Sequence, residues 1–234
     1  MFRQNASLTY PLMFCYFLFL PLIGCGENSK KQDAEAKNPA MENGHDQTPV
    51  PNKGKILFFG NSLTAGYGLE LNEAFPALIQ QRLDSLGLEY RAVNAGLSGE
   101  TTASGKNRLK WVLDPDVSIV VIELGANDGL RGIPLEETKR NLQDMVDLVR
   151  EELPDAQLVL AGMQIPPNMG PEYTAGFRDI FPDLAKKEGL PLIPFLLEGV
   201  AGIPELNQGD GIHPTAEGQV ILAENVWEVL EVLL

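Results

Sequence analysis

Cysteine and histidine are both scarce in this chain of 234 residues, which contains two of each. The cysteines, Cys15 and Cys25, precede the part of the chain with a regular apolar pattern, so we expect the folded domain to have neither a disulfide nor a thiol nucleophile. His213 is the one histidine in that part, which leaves no His/Cys cluster of the zinc type. Among metal sites, only an all-oxygen site for Ca²⁺ or Mg²⁺ stays open.

Basic residues are scarce as well. The chain has 18 lysines and arginines against 32 aspartates and glutamates, which gives a formal net charge of −14. No basic cluster interrupts this excess of negative charge, and such a surface repels a phosphate backbone. We therefore expect no nucleic-acid partner, and the simplest interpretation of the charge is a soluble surface.

The first residues have the features of a bacterial export signal. Arg3 precedes an apolar stretch at 8–23, which is shorter than the ~20 residues that span a bilayer and is typical of a signal-peptide core. The stretch closes at Gly24 and Cys25 and resembles a lipobox, in which cleavage exposes a cysteine that is then acylated. We therefore predict a lipoprotein signal peptide at 1–24 and a lipid-modified Cys25. Ordinary secretion and an uncleaved membrane anchor are the alternatives.

Residues 25–53 are predicted to form a disordered tether between the acylated cysteine and the domain. The segment is mostly Lys, Glu, Asp, Asn, Gln and Pro, so it cannot bury enough apolar surface to offset its ordering entropy. A tether of this length holds the domain very roughly 30 Å from its lipid. Gly26, rather than Asp, follows the cysteine, which in Gram-negative lipoproteins implies outer-membrane sorting. We expect a cell-envelope protein bound to the membrane through its lipid, with the domain in the periplasm or exposed outside.

Apolar runs and helical periods alternate beyond the tether. Runs of strand length lie at 56–59, 90–93, 117–124, 158–163 and 190–197, and the third is nearly uninterrupted, as in a strand covered on both faces. Helical periods between them end at Gly87 and at Pro154, and a last one begins near Thr215. This alternation predicts an α/β fold over residues 54–234. Its expected form is a three-layer α/β/α sandwich with a five-stranded parallel, flavodoxin-like sheet.

Four polar loops follow predicted strands and so leave one edge of the sheet, where open α/β sheets bind their ligands. They contain Ser62, the glycine-rich segment 94–102, Asn127 and the segment 210–214. Ser62 follows the run 56–59 and a Gly-Asn turn, so it stands at the carboxyl end of the first strand. Most serines in such a position cap a helix. A catalytic interpretation requires a base and oxyanion donors at the same edge.

The spacing Asp210-x-x-His213 is the most informative of these patterns. It can bring the carboxylate against the imidazole Nδ1, which fixes the tautomer with Nε2 free and stabilises the imidazolium. Pro214 is expected to begin the last helix and to restrict the conformation of His213. A lone histidine before a helix is often a surface or capping residue. Here it is the only histidine available to a serine hydrolase.

Gly99 and Asn127 are candidate donors in two of the loops. A residue without a Cβ lets its own N–H approach a ligand closely, although an ordinary glycine-rich turn also explains Gly99. The carboxamide of Asn127, at the end of a buried strand, either braces the neighbouring turn or points an N–H into the site. Taken alone, the residue favours bracing, and Asp128 beside it favours a structural role in holding loop amides.

Together, the four blocks resemble those of the SGNH hydrolases, also called GDSL-type esterases. They are 60–63 (GNSL), the loop around Gly99, 125–128 (GAND) and 210–214 (DGIHP), and they occur in the family's order and spacing. The resemblance covers residues 55–234. It is strongest to the bacterial thioesterase I, lysophospholipase and arylesterase branch, on the segments 63–68, 128–132 and 168–173.

The resemblance implies a role for each candidate residue. Ser62 would be the nucleophile, His213 the general base and acid, and Asp210 the carboxylate that orients it. The oxyanion hole would consist of the backbone N–H groups of Ser62 and Gly99 and the side-chain amide of Asn127. The implied reaction is hydrolysis of a carboxylic ester or thioester through an acyl-enzyme, with no cofactor and no metal.

Asn61 departs from the family motif, which has Asp at this position. Asparagine keeps the shape and one carbonyl acceptor but loses the charge. We therefore expect weaker local bracing of the turn, with the attacking oxygen of Ser62 unaffected.

The loop at 129–134 bears on the substrate. In related thioesterases the corresponding loop moves over the acyl chain, which here implies Leu130 and Ile133 as apolar contacts and Gly129 and Gly132 as hinges. A medium or long acyl chain is the leading hypothesis, and the expected small-molecule partners are lysophospholipids or simple aryl and alkyl esters. Short-chain or sugar-acetyl esters are the alternative. A catalytically silent ligand-binding lipoprotein is the alternative from another class, and a monomer is the expected state.

Overall fold

The structure is a computed structural model that describes residues 53–234. The predicted signal peptide at 1–24, the lipidated Cys25 and all but the last residue of the predicted tether lie outside the described residues. These three predictions therefore stay predictions.

Five parallel strands form the single sheet of the described residues, as the sequence predicts. They are β1 (Gly54–Gly60), β2 (Tyr90–Gly96), β3 (Val117–Glu123), β4 (Gln157–Ala161) and β5 (Leu192–Ile193), in the spatial order β2-β1-β3-β4-β5. The chain runs outward from β1 to β2 and then returns to place β3 on the other side of β1. The point at which the strand order reverses is where doubly wound sheets open a crevice, so the carboxyl ends of β1 and β3 flank the expected ligand site.

Strand β5 is much shorter than the predicted run at 190–197. It spans only Leu192–Ile193, with Pro191 before it and Pro194 after it. A proline has no backbone N–H to donate to a ladder, so it confines strand pairing to the residues between the two. Apolar residues after Pro194 belong to the core and not to the sheet. Leu196 and Val200 are buried there without being part of a strand.

Seven α-helices connect the strands within residues 53–234 and cover both faces of the sheet. They are α1 (Ser62–Ala65), α2 (Phe75–Ser85), α3 (Thr102–Leu109), α4 (Ala126–Leu130), α5 (Leu135–Glu152), α6 (Pro171–Glu188) and α7 (Ala216–Leu230). Helices α2, α5 and α7 match the predicted apolar periods. The sequence pattern did not predict α6, which continues through Pro182 although proline disfavours a helix interior. None of the described helices is long and apolar enough to cross a membrane.

The central strands β1 and β3 form the most deeply buried part of the core. In β1 the side chains of Ile56, Phe58 and Phe59 are fully inaccessible. Phe58 packs edge to face against Phe75 at the start of α2, with 5.5 Å between ring centroids. Each such side chain contributes roughly 1.5–3 kcal/mol relative to an exposed one. The loops that leave β1 and β3 therefore start from a closely packed support.

Candidate active site

Ser62 lies in a tight turn that joins β1 to α1. Strand β1 ends at Gly60, where an added Cβ would lie 2.1 Å from Thr64 Oγ1 and 2.5 Å from Glu123 Oε2, so only glycine fits. Asn61 caps helix α1, because its Oδ1 accepts a hydrogen bond from Leu63 N at 3.0 Å. Ser62 is the first residue of that helix, so its own N–H has no acceptor one turn earlier.

The structure brings Ser62, His213 and Asp210 together in series. His213 Nε2 lies 2.9 Å from Ser62 Oγ, and His213 Nδ1 lies 2.6 Å from Asp210 Oδ2. Both distances allow hydrogen bonds. The arrangement has the geometry of an activated serine, and the catalytic roles of the three residues stay a prediction.

The carboxylate of Asp210 is held by the loop that carries the histidine. Its Oδ1 accepts hydrogen bonds from Ile212 N at 2.9 Å and from His213 N at 3.0 Å. The side-chain contact with His213 and these two amides lower the pKa of Asp210 to about 2. Asp210 is therefore ionised at neutral pH. An ionised partner at Nδ1 favours the tautomer in which Nε2 accepts a proton from Ser62.

Gln208 and Tyr67 connect this loop to the serine turn. Gln208 Nε2 donates to the carbonyl oxygens of Tyr67 at 2.7 Å and of Pro214 at 2.9 Å, and Gln208 N donates to His213 O at 2.7 Å. The ring of Tyr67 lies over the imidazole of His213, with 4.5 Å between centroids. Sequence reasoning missed both residues, because the contacts of Tyr67 with Gln208 and His213 join distant parts of the chain and leave no local pattern.

Helix α7 begins at Ala216, in agreement with the predicted start near Thr215, but Pro214 does not begin it. Thr215 is its N-cap, and Pro214 precedes the cap instead of occupying the first turn. Gln219 in α7 joins this helix to the serine turn, since its Nε2 donates to Leu63 O at 3.2 Å and its Oε1 accepts from Phe75 N at 2.8 Å. The last helix thus contributes directly to the support of Ser62.

Gly99 lies in the second polar loop with a left-handed backbone. Its φ of +80° is one that residues with a side chain rarely adopt. Its carbonyl oxygen accepts a hydrogen bond from Arg131 Nη2 at 3.1 Å. Within residues 53–234 its N–H has no hydrogen-bond acceptor. This amide is available to a ligand, as an oxyanion donor must be.

Asn127 braces the loop that carries Gly99. Its Nδ2 donates to Glu100 O at 3.1 Å, which is the bracing contact that the sequence favoured. A carboxamide has two N–H groups, so one remains for donation into the site, and that use stays a prediction.

Asp128 is structural, as expected. Its carboxylate is buried and accepts hydrogen bonds from Thr102 N at 2.8 Å and Thr102 Oγ1 at 2.5 Å. Burial raises the pKa of this carboxyl group. Asp128 thereby fixes the first turn of α3, directly after the Gly99 loop.

Two buried acids near the site were missed by sequence reasoning. Glu100 pairs with Arg108, whose Nε lies 2.7 Å from Glu100 Oε1, and the guanidinium packs over the ring of Phe59. Glu123, at the end of β3, accepts hydrogen bonds from the serine turn, and burial raises its pKa to about 7. A glutamate at position 123, inside the apolar run 117–124, was the one visible signal of a buried charge.

The loop at 129–134 is more constrained than the two expected hinges imply. Gly129 lies inside α4, and an added Cβ there would lie 2.6 Å from Ile165 Cγ2, so this glycine serves packing and not hinge motion. Gly132 does adopt a left-handed φ of +66°. Leu130 is partly exposed, and Ile133 O accepts a hydrogen bond from Tyr173 Oη at 2.6 Å. The substrate contacts of Leu130 and Ile133 stay a prediction.

These side chains together suit acyl transfer. A serine hydroxyl is hydrogen-bonded to an imidazole that an ionised carboxylate orients, and the free amide of Gly99 belongs to an adjacent loop of the same sheet edge. This combination can generate a nucleophile and stabilise a developing oxyanion. Residues 53–234 contain no group of three or more His, Cys, Asp or Glu side chains placed to share a metal ion.

Comparison with known proteins places this site in a family. A model of the GDSL-like lipase/acylhydrolase family matches residues 58–221. The matched segment includes all four polar loops, from the serine turn to the histidine loop.

Curated relatives match over most of their length. Esterase TesA of Pseudomonas aeruginosa is 43% identical over 180 residues, which are 76% of this chain and 89% of that protein. Thioesterase 1/protease 1/lysophospholipase L1 of Escherichia coli K12 is 36% identical over 180 residues, which are 76% of this chain and 84% of that protein.

The fold agrees with a solved structure from the same group. The crystal structure of TesA superposes with a TM-score of 0.73 at 43% identity and covers 77% of this chain and 99% of that one. The family match and the identities to these relatives leave one assignment: the chain belongs to the GDSL-like lipase/acylhydrolase family, also known as the SGNH hydrolases.

Proposed function

We propose that this protein is a serine esterase that hydrolyses carboxylic esters or thioesters through an acyl-enzyme. The observation that carries the proposal is the hydrogen-bonded series Ser62, His213 and Asp210, with distances of 2.9 and 2.6 Å. Membership of a family whose matched relatives are named esterase and thioesterase supports the same reaction.

The proposed first step is attack on the ester carbonyl. Ser62 Oγ forms a bond to the carbonyl carbon while His213 Nε2 accepts the hydroxyl proton. The carbonyl oxygen becomes an oxyanion and accepts hydrogen bonds from Ser62 N, Gly99 N and the second N–H of Asn127. When the tetrahedral intermediate collapses, the bond to the alcohol or thiol breaks and His213 returns its proton to the leaving group.

The second step releases the acid. Water loses a proton to His213 Nε2 as it attacks the acyl carbon, and the bond to Ser62 Oγ then breaks. The serine regains its proton from His213, and a carboxylic acid leaves. Asp210 stays ionised throughout, since its low pKa keeps it as the partner of the imidazolium.

Exposed apolar side chains on the segments that follow the strands favour a substrate with an acyl chain of medium or long length. Tyr67, Leu97, Leu130 and Ile212 follow different strands at the carboxyl edge, and each is at least 38% exposed. Exposed apolar surface around a polar catalytic group is typical of a binding site for an apolar chain. A rate profile over esters, thioesters and lysophospholipids of graded acyl length tests this preference. Highest rates on acetyl esters would favour a short-chain or sugar-acetyl esterase instead.

The envelope location is part of the proposal. The lipobox-like end of the first apolar stretch supports acylation of Cys25 and attachment to a membrane, with outer-membrane sorting favoured by Gly26. Mass spectrometry of the mature protein tests this directly. Acylated Cys25 as the first residue is the expected result, and an unmodified or upstream terminus would contradict it.

Replacement of the nucleophile tests the reaction itself. Ser62→Ala is expected to abolish hydrolysis of p-nitrophenyl esters while the fold is retained, because no other hydroxyl contacts His213 Nε2 among the described residues. Ser85→Ala is a matched control, since Ser85 Oγ donates to Arg82 O at the end of α2, away from the site. Equal activity of Ser62→Ala and the wild type would rule out a mechanism with Ser62 as the nucleophile. Wild-type protein that binds esters without turnover would favour the silent binding protein.

A further inference from the structure

Glu123 lies directly beneath the turn that carries Ser62. It is the last residue of β3 and is paired in register with Gly60, the last residue of β1. Its side chain is 1% exposed. The carboxylate therefore occupies the space between the ends of the two central strands, which the absence of a Cβ at Gly60 leaves open.

The carboxylate accepts four hydrogen bonds, and all of them come from the serine turn. Oε2 accepts from Asn61 N at 3.0 Å, Thr64 N at 3.3 Å and Thr64 Oγ1 at 2.8 Å. Oε1 accepts from Asn61 Nδ2 at 2.7 Å. The donors lie on both sides of Ser62, one residue before it and two residues after it.

All four donors are neutral. None of the ion pairs within residues 53–234 includes Glu123. A buried carboxylate without a cation is costly unless hydrogen bonds satisfy its oxygens. The turn thus supplies the hydrogen bonds that satisfy the carboxylate oxygens, and the carboxylate in return fixes the conformation of the turn.

The asparagine at position 61 is the complementary half of this arrangement. Its carboxamide donates to Glu123 through Nδ2 and accepts from Leu63 N through Oδ1. An aspartate in the same place would bring two carboxyl oxygens to the 2.7 Å that now separates Nδ2 from Oε1, and one shared proton would be required. Asparagine supplies this hydrogen without titration.

We infer that Glu123 is a positioning residue for Ser62 and that Asn61 is its dedicated donor, so that the pair fixes the nucleophile through complementary hydrogen bonds. The inference rests on the proposed esterase function. On this inference, and contrary to the expectation from the sequence, asparagine strengthens the bracing of the turn, because the bracing comes from a partner on another strand.

Glu123→Gln tests the inference at pH 8, with p-nitrophenyl esters as substrates. The carbonyl of the introduced glutamine can take the three hydrogen bonds of Oε2, but its NH₂ group then faces the NH₂ group of Asn61. Relief of this contact by rotation of Asn61 would remove the cap on Leu63 N. Either change displaces Ser62, so kcat is expected to fall by roughly 10-fold to 100-fold with KM little changed.

The reciprocal exchange provides the rescue. In the double variant Asn61→Asp/Glu123→Gln, the NH₂ group of the introduced glutamine donates to one oxygen of the introduced aspartate, and the other oxygen still accepts from Leu63 N. We expect kcat within about threefold of the wild type, because every hydrogen bond has a donor and an acceptor again. Asn61→Asp alone completes the cycle, and its kcat at pH 8 is expected to lie below that of the double variant, because two carboxylates must then share one proton.

Ile122→Ala is the control for loss of stability. Ile122 precedes Glu123 in β3 and is fully buried, so its truncation weakens the core without removing a hydrogen bond from the turn. Its thermal midpoint is expected to fall, with kcat at the wild-type value once the unfolded fraction is corrected for. The inference is overturned if Glu123→Gln leaves kcat unchanged, or if it lowers kcat equally with and without the Asn61→Asp exchange. An inactive wild-type protein would instead refute the proposed function.

Discussion

The two halves of the candidate site are held in opposite ways. The serine turn is buried, with Asn61 and Thr64 at most 1% exposed, and it is fixed by Glu123 from another strand. The histidine loop lies at the surface, where the side chain of Asp210 is 41% exposed, and its main hydrogen bonds stay inside the loop. The nucleophile is thus positioned by the packed fold and the base by its own local sequence.

The electrostatics of the two acids follow this difference. Burial raises the pKa of Glu123 to about 7, whereas hydrogen bonds from His213 and nearby amides lower that of Asp210 to about 2. Burial therefore disfavours the ionised form of Glu123, whereas hydrogen bonds stabilise the ionised form of Asp210, which faces water. Substitutions in the two halves should therefore differ in how far they lower kcat and in how far they change the free energy of unfolding.

The largest effect is expected in the exposed half. Asp210→Asn should lower kcat by about 10³- to 10⁴-fold, because a carboxamide no longer stabilises the imidazolium or fixes the tautomer of His213. Steady-state kinetics with p-nitrophenyl esters measure the loss. The free energy of unfolding should fall only modestly, because the charge of Asp210 faces water, which screens it. A strongly destabilised variant would show that this loop also supports the fold.

The next effect concerns Asn127, which braces the loop that carries Gly99. Asn127→Ala should lower kcat by about 10²- to 10³-fold if its second N–H meets the oxyanion. Asn225→Ala serves as the matched control, because Asn225 also bonds backbone carbonyls but belongs to α7 and contacts the segment after β5. A rate equal to that of the control would leave Asn127 with a bracing role only.

The buried half, through Glu123, should affect how the free energy of unfolding depends on pH. For Glu123 the folded pKa of about 7 exceeds the ordinary value of 4.5, so its contribution to stability is present below pH 4.5 and is lost as pH rises through 7. Asp210 has the opposite sign, and its contribution is lost only as pH falls from 3.8 towards 2. Between pH 5 and 8, the free energy of unfolding of the wild type, measured with urea, should therefore fall by about 2–3 kcal/mol. That of Glu123→Gln should not show this fall. If the free energy of unfolding had the same dependence on pH in the wild type and in Glu123→Gln, a raised pKa of Glu123 would be contradicted.

The smallest effect is expected where the two halves are joined. Gln208→Ala removes the side-chain bridge between Tyr67 O and Pro214 O, and we expect kcat to fall by about 10-fold as the histidine loop moves relative to Ser62. Gln143→Ala in α5 is the control, because the side chain of Gln143 bonds Asp147 and Lys187 and neither of the two loops. Full activity of Gln208→Ala would mean that the loop holds His213 without help from the serine turn.

This difference between the halves also explains what could be predicted from the chain alone. Asp210 and His213 are three residues apart and lie in one loop, so their pairing was visible as a local pattern. The partnership of Asn61 with Glu123 joins residues 62 positions apart, and nothing in either segment indicates the other. The family resemblance supplied Ser62, Gly99 and Asn127 as a set but not the buried supports beneath them.

The elements of the fold follow the same distinction. Strands β1 and β3 were predicted because continuous apolar runs report burial directly. Helix α6 was missed because Pro182 is a local signal against a helix that tertiary packing overrides, with Phe177 and Phe181 in the core. Strand β5 was predicted too long because apolar residues after Pro194 fill the core without pairing.

The order of the chain adds a kinetic consequence. Ser62 and His213 are 151 residues apart, and the serine turn also depends on Gln219 in the last helix. A chain that ends before the histidine loop and α7 contains the nucleophile but not its base, so it cannot turn over an ester. Recovery of esterase activity during refolding therefore reports closure of the long loop between these two residues, and it should lag behind the recovery of helical signal.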